Sequence, residues 1–326
     1  MTTKAALPKM TSALPKIMKA AVVDKPGPPN AIHIKDLPVP RVAHNHVIIA
    51  LEYAGVGGWD AAQRAGQYGA IKPGTILGSD GSGTVAAVGS GVETFNVGDR
   101  VYSYSYGNPT GGFHAEYVSV PADRVGHVPA NLEMKVAGAM PCVALTAQSG
   151  LDALKVKAGQ TVLVFGASGG VGSLAVWLAA LRGATVVGTA RPEAQEYVRR
   201  LGAAHILDPN SSEYERVIKR EAPVGFDACL ITANSDKLPA FLSHLKANAP
   251  FAYPNGVEPK PHFEGHPTLV FDGEMSRQAF DRLNIAIGPR TIPLRTEVFS
   301  FKDVVEAHRR IAQGHVIGKI VLQIDS

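Results

Sequence analysis

Cysteine is scarce: Cys142 and Cys229 are the only two in 326 residues. Two thiols build no disulfide framework, and a chain without one fits a reducing compartment such as the cytoplasm. Charged residues are also few, at 18%, and the formal net charge is +4. No long basic run and no interleaving of basic with aromatic residues occurs, which argues against a nucleic-acid partner. The uncharged stretch 162–181 has the length of a membrane span, but a glycine cluster breaks its middle and neither half crosses a bilayer alone. No membrane partner is expected. Residues 1–17 carry Lys4, Lys9 and Lys16 and no acid, yet lack the apolar core and cleavage site of a signal peptide. They read as a weak organelle-targeting segment or, more plainly, as a disordered arm ahead of a strand opening at Met18.

What is present is a chain of globular composition, 45% hydrophobic, long enough for two domains with substantial cores. Its organising stretch is 161–191. Val162, Leu163, Val164 and Phe165 form the continuous apolar run of a strand buried on both faces. The turn Ala167-Ser168-Gly169-Gly170-Val171-Gly172 follows Gly166 and fits the G-x-G-x-x-G spacing with alanine in the first place. An uncharged helix-length segment runs to Arg182-Gly183, a helix-stop pair. Residues 185–187 read as a second buried strand. Strand, glycine turn, helix and strand make the half-unit of a dinucleotide-binding fold. Gly169 lets the backbone approach a pyrophosphate, Gly172 lets helix and strand pack closely, and free N–H groups at the helix start favour phosphate.

The end of the second strand speaks to cofactor choice. An NAD site usually places Asp or Glu there for the ribose 2′-OH. This chain has Thr189-Ala190-Arg191. No carboxylate repels a 2′-phosphate and Arg191 is able to pair with one, so NADPH is expected over NADH. The plain alternative is a solvated arginine opening the next helix. Thr232 and Ala233 end a later strand, at the carboxyl edge that lines a cofactor crevice.

Between 18 and about 137 the pattern is short strands (47–53, 83–88, 100–104 and 115–120) separated by Gly, Pro, Asn and Asp turns, a small irregular β domain. Helices are expected at 133–140, 145–154, 193–201, 212–220 and 236–245, and further strands at 204–207, 226–232 and 250–253. Strands alternating with helices predict an α/β fold with a doubly wound parallel sheet. Near 292 the chain turns β-like again, with a helix at 301–313 and a closing strand at 319–324.

Several runs together resemble the medium-chain dehydrogenase/reductase superfamily, and within it the zinc-lacking quinone oxidoreductase branch. They are Met18-Lys19-Ala20, Gly98-Asp99-Arg100-Val101, 111–118, the turn 167–172, Leu201-Gly202-Ala203, Glu306-Ala307-His308 and 318–322. The resemblance covers 18–326. It implies a GroES-like substrate domain (18–137, with 293–326 returning to it) interrupted by a Rossmann domain (138–292), and a homodimer or homotetramer. It also implies a cofactor contact near the nicotinamide at Thr146 and one to the pyrophosphate at Lys319; for both, packing or a solvated tail is the plain alternative.

The zinc enzymes of this superfamily carry ligands at positions that match Gly57, Ser79 and Cys142. Glycine has no side chain and serine is a poor ligand, so only Cys142 remains, and one thiolate holds no catalytic zinc. No metal is expected; His44 and His46 read as surface residues. Without a Lewis acid, alcohol oxidation gives way to hydride delivery to an already polarised acceptor. The family's oxyanion-donating tyrosine matches Tyr68, for which core packing is the alternative. Family polar residues match Gly57 and Ala62, which opens the pocket, and Trp59 is placed to refill it. Trp59 and Tyr68 are therefore the expected acceptor contacts. Tyr102, Tyr104 and Tyr106 alternate and line either a cleft or the surface, and Asp80 is expected to anchor a turn. The resulting reading is an NADPH-dependent reductase of a quinone or an α,β-unsaturated carbonyl. An enoyl thioester (enoyl-CoA) reductase and a non-catalytic nucleotide-binding module are the alternatives.

Overall fold

In the computed structural model, which describes residues 14–108 and 111–324, Thr161–Phe165 lies inside a six-stranded sheet. Across that sheet the order is His205–Leu207, Thr185–Thr189, Thr161–Phe165, Ala228–Ile231, Phe251–Pro254 and Thr268–Phe271, every pair parallel. Val162 and Val164 share one apolar layer with Leu174, Ala175 and Leu178 of the helix Gly170–Leu181, while Leu163 and Phe165 share another with Ile218, Phe241 and Phe251. Burial on both faces is why this strand shows no alternation. Each such side chain contributes about 1.5–3 kcal/mol. Chain order reverses between Thr185–Thr189 and Ala228–Ile231, so the carboxyl end of Thr161–Phe165 opens at a switch point, where such sheets bind ligands.

The rest of the chain forms a seven-stranded sheet. In order it runs Thr296–Ser300, Lys319–Gln323, His46–Val56, Asp80–Val88, Arg100–Tyr104 and Val125–His127, with Tyr117–Pro121 also paired to His46–Val56. A small sheet places Ile17–Val23 between His33–Pro38 and Thr75–Ile76. The closing strand decides the geometry. Ile320 pairs antiparallel with Val56. Two residues earlier Gly318 bridges Gly169, its N–H donating to Ser168 O at 2.8 Å. The last strand thus fastens the glycine turn to the β-rich sheet, and a cleft forms between them. The fold is an α/β Rossmann sheet with a GroES-like β-rich partner.

Some readings need correction. Ile17 already belongs to the first strand, and residues 1–13 of the expected arm lie outside the described residues. The helix after the glycine turn starts at Gly170, and the one expected at 236–245 is only Leu238–Leu242. Thr268–Phe271 and Arg277–Ile287 were not expected at all. The first is a half-exposed sheet edge. The second is capped by Ser276 Oγ, which accepts the Ala279 N–H at 3.1 Å, and buries Ala279, Phe280, Leu283 and Ile287, a helical stripe. Among the described residues no helix is long and apolar enough to cross a membrane.

Candidate functional site

The glycine turn is held from behind. Gly166 N–H donates to Thr189 Oγ1 at 2.8 Å, and Ala167 N–H to Thr189 O at 3.1 Å. Thr232 Oγ1 donates to Phe165 O and Gly166 O, both at 3.0 Å, and Ala233 packs on Gly166. Thr189 and Thr232 therefore spend their hydroxyls fixing the turn. A Cβ on Gly172 would stand 2.1 Å from Gly166 O, so only glycine lets the helix begin here. In front of the turn there is room: a Cβ on Gly169 would meet nothing nearer than 3.8 Å. The leading N–H groups of Gly170–Leu181 lack intrahelical partners and sit beside this space. Open space before free donors fits a pyrophosphate, which Gly169, Gly170, Val171 and Gly172 would hold.

The turn forms one wall of a cleft of about 250 Å³, whose other lining includes Gly57, Gly58, Val143, His315 and Lys319. Arg191 stands exposed at the head of the helix Pro192–Arg200, its Nη2 2.9 Å from Nε2 of His315, which ties it to the cleft rim. Thr146 is buried instead, with Oγ1 2.7 Å from where a Cβ on Gly273 would stand, and does not line this cleft.

Across from the turn, the short helix Gly58–Arg64 begins at Gly57, which has no side chain to cap it. Asp60, 2% exposed, does so: its carboxylate accepts the Gly57 N–H at 2.8 Å and the Ser79 hydroxyl at 3.3 Å. Trp59 stacks on Tyr68 with centroids 3.8 Å apart, and Tyr106 meets Trp59 edge-on at 4.6 Å. Because the first two rings cover each other, a flat acceptor has no place between them, and neither ring lines the cleft beside the glycine turn. Tyr68 Oη lies 3.2 Å from the Cβ position of Gly256, so its hydroxyl faces that loop. Burial, Tyr106 and Glu258 raise its pKa and keep it protonated. Tyr102 points away and donates to Asn284 Oδ1 at 2.6 Å, while Tyr104 packs with Cys142.

Beneath Gly57 lies a buried polar group that the sequence reading did not assemble. Asp80 accepts the Cys142 N–H at 2.9 Å and so anchors the helix Pro141–Ala153, not a turn. Burial, reinforced by Asp60 and opposed by Lys319 and the Cys142 N–H, raises its pKa to about 6. Burial and Asp80 push the Cys142 thiol up to about 12, so it is neutral. For Lys319, burial favours the neutral amine, but Asp80, Cys142 and Asp60 outweigh it and hold the pKa above its ordinary value. No cluster of three or more His, Cys, Asp or Glu side chains suited to a metal occurs among the described residues. His44 bonds Ser90 at 3.0 Å and His46 bonds Ser119 at 3.3 Å, away from the cleft.

Fold and cleft together define an NAD(P)H-dependent oxidoreductase of small molecules. The family model described as alcohol dehydrogenase GroES-like domain matches residues 43–130, and that described as zinc-binding dehydrogenase matches 170–259. A probable quinone oxidoreductase of Schizosaccharomyces pombe is 31% identical over 92% of this chain and 95% of its own. The solved quinone oxidoreductase of Coxiella burnetii superposes with a TM-score of 0.82 at 25% identity, covering 95% of this chain and 100% of that one. A mycobacterial protein solved with NADPH gives 0.81 at 26% identity, over 94% and 99%. The chain belongs to the medium-chain dehydrogenase/reductase superfamily, in its quinone oxidoreductase-like branch.

Proposed function

We propose that the protein is an NADPH-dependent reductase that delivers hydride to a quinone or an α,β-unsaturated carbonyl without a catalytic zinc. One observation carries this reading: the cleft beside the glycine turn is lined, at the position matching a metal ligand of the zinc enzymes, by Gly57, which has no side chain. The bound dinucleotide supplies the hydride. The turn residues Gly166 to Gly172 position its phosphates, with Thr189, Thr232 and Ala233 bracing the turn. Trp59 and Tyr68 offer a flat apolar surface to the acceptor. The domain division at about 137 and 293 and a homo-oligomer in the cytoplasm belong to the same reading. An acceptor panel tests it: NADPH oxidation is expected with a quinone or an enone, slowly or not at all with an enoyl-CoA, and with less than about one-tenth of a zinc ion per chain by elemental analysis, since one thiolate does not retain the metal. Turnover only with enoyl-CoA, with no acceptor, or only in zinc-loaded protein would refute it.

Arg191 sets the cofactor preference. No carboxylate stands at the strand end to repel a 2′-phosphate, and the guanidinium, exposed and bonded among the described residues to His315 alone, is able to take a bidentate anion. NADPH is expected to bind at least about tenfold tighter than NADH, about 1.4 kcal/mol. In Arg191→Ala that gap should close through weaker NADPH binding, with NADH binding unchanged, in a fluorescence titration. An undiminished gap would assign the preference elsewhere.

A further inference from the structure

Lys319 opens the closing strand directly after the Gly318–Gly169 bridge. Its Cδ is 3.6 Å from where a Cβ on Gly170 would stand, and its Nζ 3.0 Å from where one on Gly57 would stand. The stem therefore crosses the start of the phosphate helix, and the amine ends on the far side of the cleft. The residue is only 6% exposed, yet its amine makes no hydrogen bond, and no ion pair within 4.0 Å, among the described residues. Asp80 and Asp60 balance its charge from beyond 4.0 Å without a hydrogen bond among the described residues, so its N–H donors stay unused, and what they face is the cleft.

We propose that Lys319 is a catalytic residue whose ammonium donates to the acceptor oxygen on which negative charge develops, in the space that the missing Gly57 side chain leaves. The inference rests on the reductase reading. The other donors nearby are committed elsewhere: Ser79 to Asp60, Tyr104 to Cys142, and the Tyr68 hydroxyl faces Gly256. The turn N–H groups remain for phosphate. For an enone, the hydride that a reduced dinucleotide would supply to the β-carbon brings its electron pair. The C=C pair then closes to the α-carbon–carbonyl-carbon bond, and the carbonyl π pair moves onto oxygen. Lys319 gives that oxygen an N–H proton, and the neutral amine is reprotonated from water. The enol released becomes the saturated ketone in solution.

The test needs no turnover. 4-Nitrophenol presents an ionisable oxygen on a flat ring, and its ionised form is read by colour. Bound to the wild type it should ionise at a pH at least about one unit lower than in water, as beside a fixed cation. Lys319→Met should abolish that shift. Gly57→Ala, at an ordinary extended backbone (φ −139°, ψ 176°), places a methyl against the amine and should reduce the shift while the melting temperature stays that of the wild type. On an enone at saturating NADPH, Lys319→Met should lower kcat by about a hundredfold, as loss of an oxyanion donor does, with the NADPH Kd within about threefold of the wild type, a change under 1 kcal/mol. A nitrophenol shift unaltered by either substitution overturns the proposal. So does an NADPH Kd raised tenfold or more with kcat retained, which would make Lys319 a pyrophosphate ligand. A wild type that reduces no acceptor yet ionises nitrophenol through Lys319 defeats the reductase reading and supports the oxyanion site.

Discussion

Gly172→Ala should weaken NADPH binding by about a hundredfold or more, some 2.8 kcal/mol. The added Cβ would lie 2.1 Å from Gly166 O and 2.8 Å from the carbonyl carbon of Gly166. Backbone does not yield as a side-chain tip does, so the first turn of Gly170–Leu181 must shift by about an ångström to restore ordinary contact. Its N–H groups then miss the phosphate oxygens, and one or two charge-assisted hydrogen bonds at about 1.5–3 kcal/mol each account for the loss. Overpacking at this buried seam should also cost about 1–3 kcal/mol of stability. Gly169→Ala is the control. Its backbone is extended (φ −78°, ψ 176°) and its Cβ would meet only open space, so the melting temperature should hold while the methyl crowds the phosphate. Isothermal titration and thermal melts on both variants separate the two effects. Binding by Gly172→Ala within threefold of the wild type would remove the turn from the site.

The parts of this site that are legible in the sequence are those whose physics is local. Val162 to Phe165 announces a doubly covered strand because no polar residue interrupts it, and the turn announces itself because close approach demands glycine. Thr268–Phe271 hides because a half-exposed edge of four residues carries neither a long run nor a clear alternation. Asp60 was readable in principle: an acid three residues after a side-chain-free N-cap is a capping signal. The Lys319 environment is different in kind. It exists only because Ile320 pairs with Val56 and Gly318 with Gly169, contacts between segments far apart in the chain. Sequence order places the lysine beside the glycine turn, and pairing register brings its amine to Gly57. Tyr68 illustrates the same limit, since its partner Trp59 and the Gly256 loop decide which way the hydroxyl faces.

The Asp80 cluster should write itself into the pH dependence of stability. Folding encloses the carboxyl completely, and its pKa rises from 3.8 to about 6. Between those values the folded chain keeps a proton that the unfolded chain has released. Rising pH therefore favours unfolding across this window, by about 3 kcal/mol at 1.36 kcal/mol per unit. Above about pH 6 the carboxylate is ionised in both states, and the full penalty of holding a buried charge is present. Asp80→Asn keeps an oxygen to accept the Cys142 N–H but cannot ionise. Denaturant unfolding at pH 4 and pH 7 should then show the variant gaining about 2.4 kcal/mol on the wild type between the two, since the unfolded carboxyl is already more than half ionised at pH 4. A pH-independent difference would mean that Asp80 titrates as it does unfolded. The penalty has a physical reason to persist in the native protein: the same carboxylate helps keep the Lys319 amine charged inside the cleft. In Asp80→Asn the greater stability at pH 7 should accordingly come with a lowered Lys319 pKa, and the 4-nitrophenol shift should begin to fail at a lower pH than in the wild type.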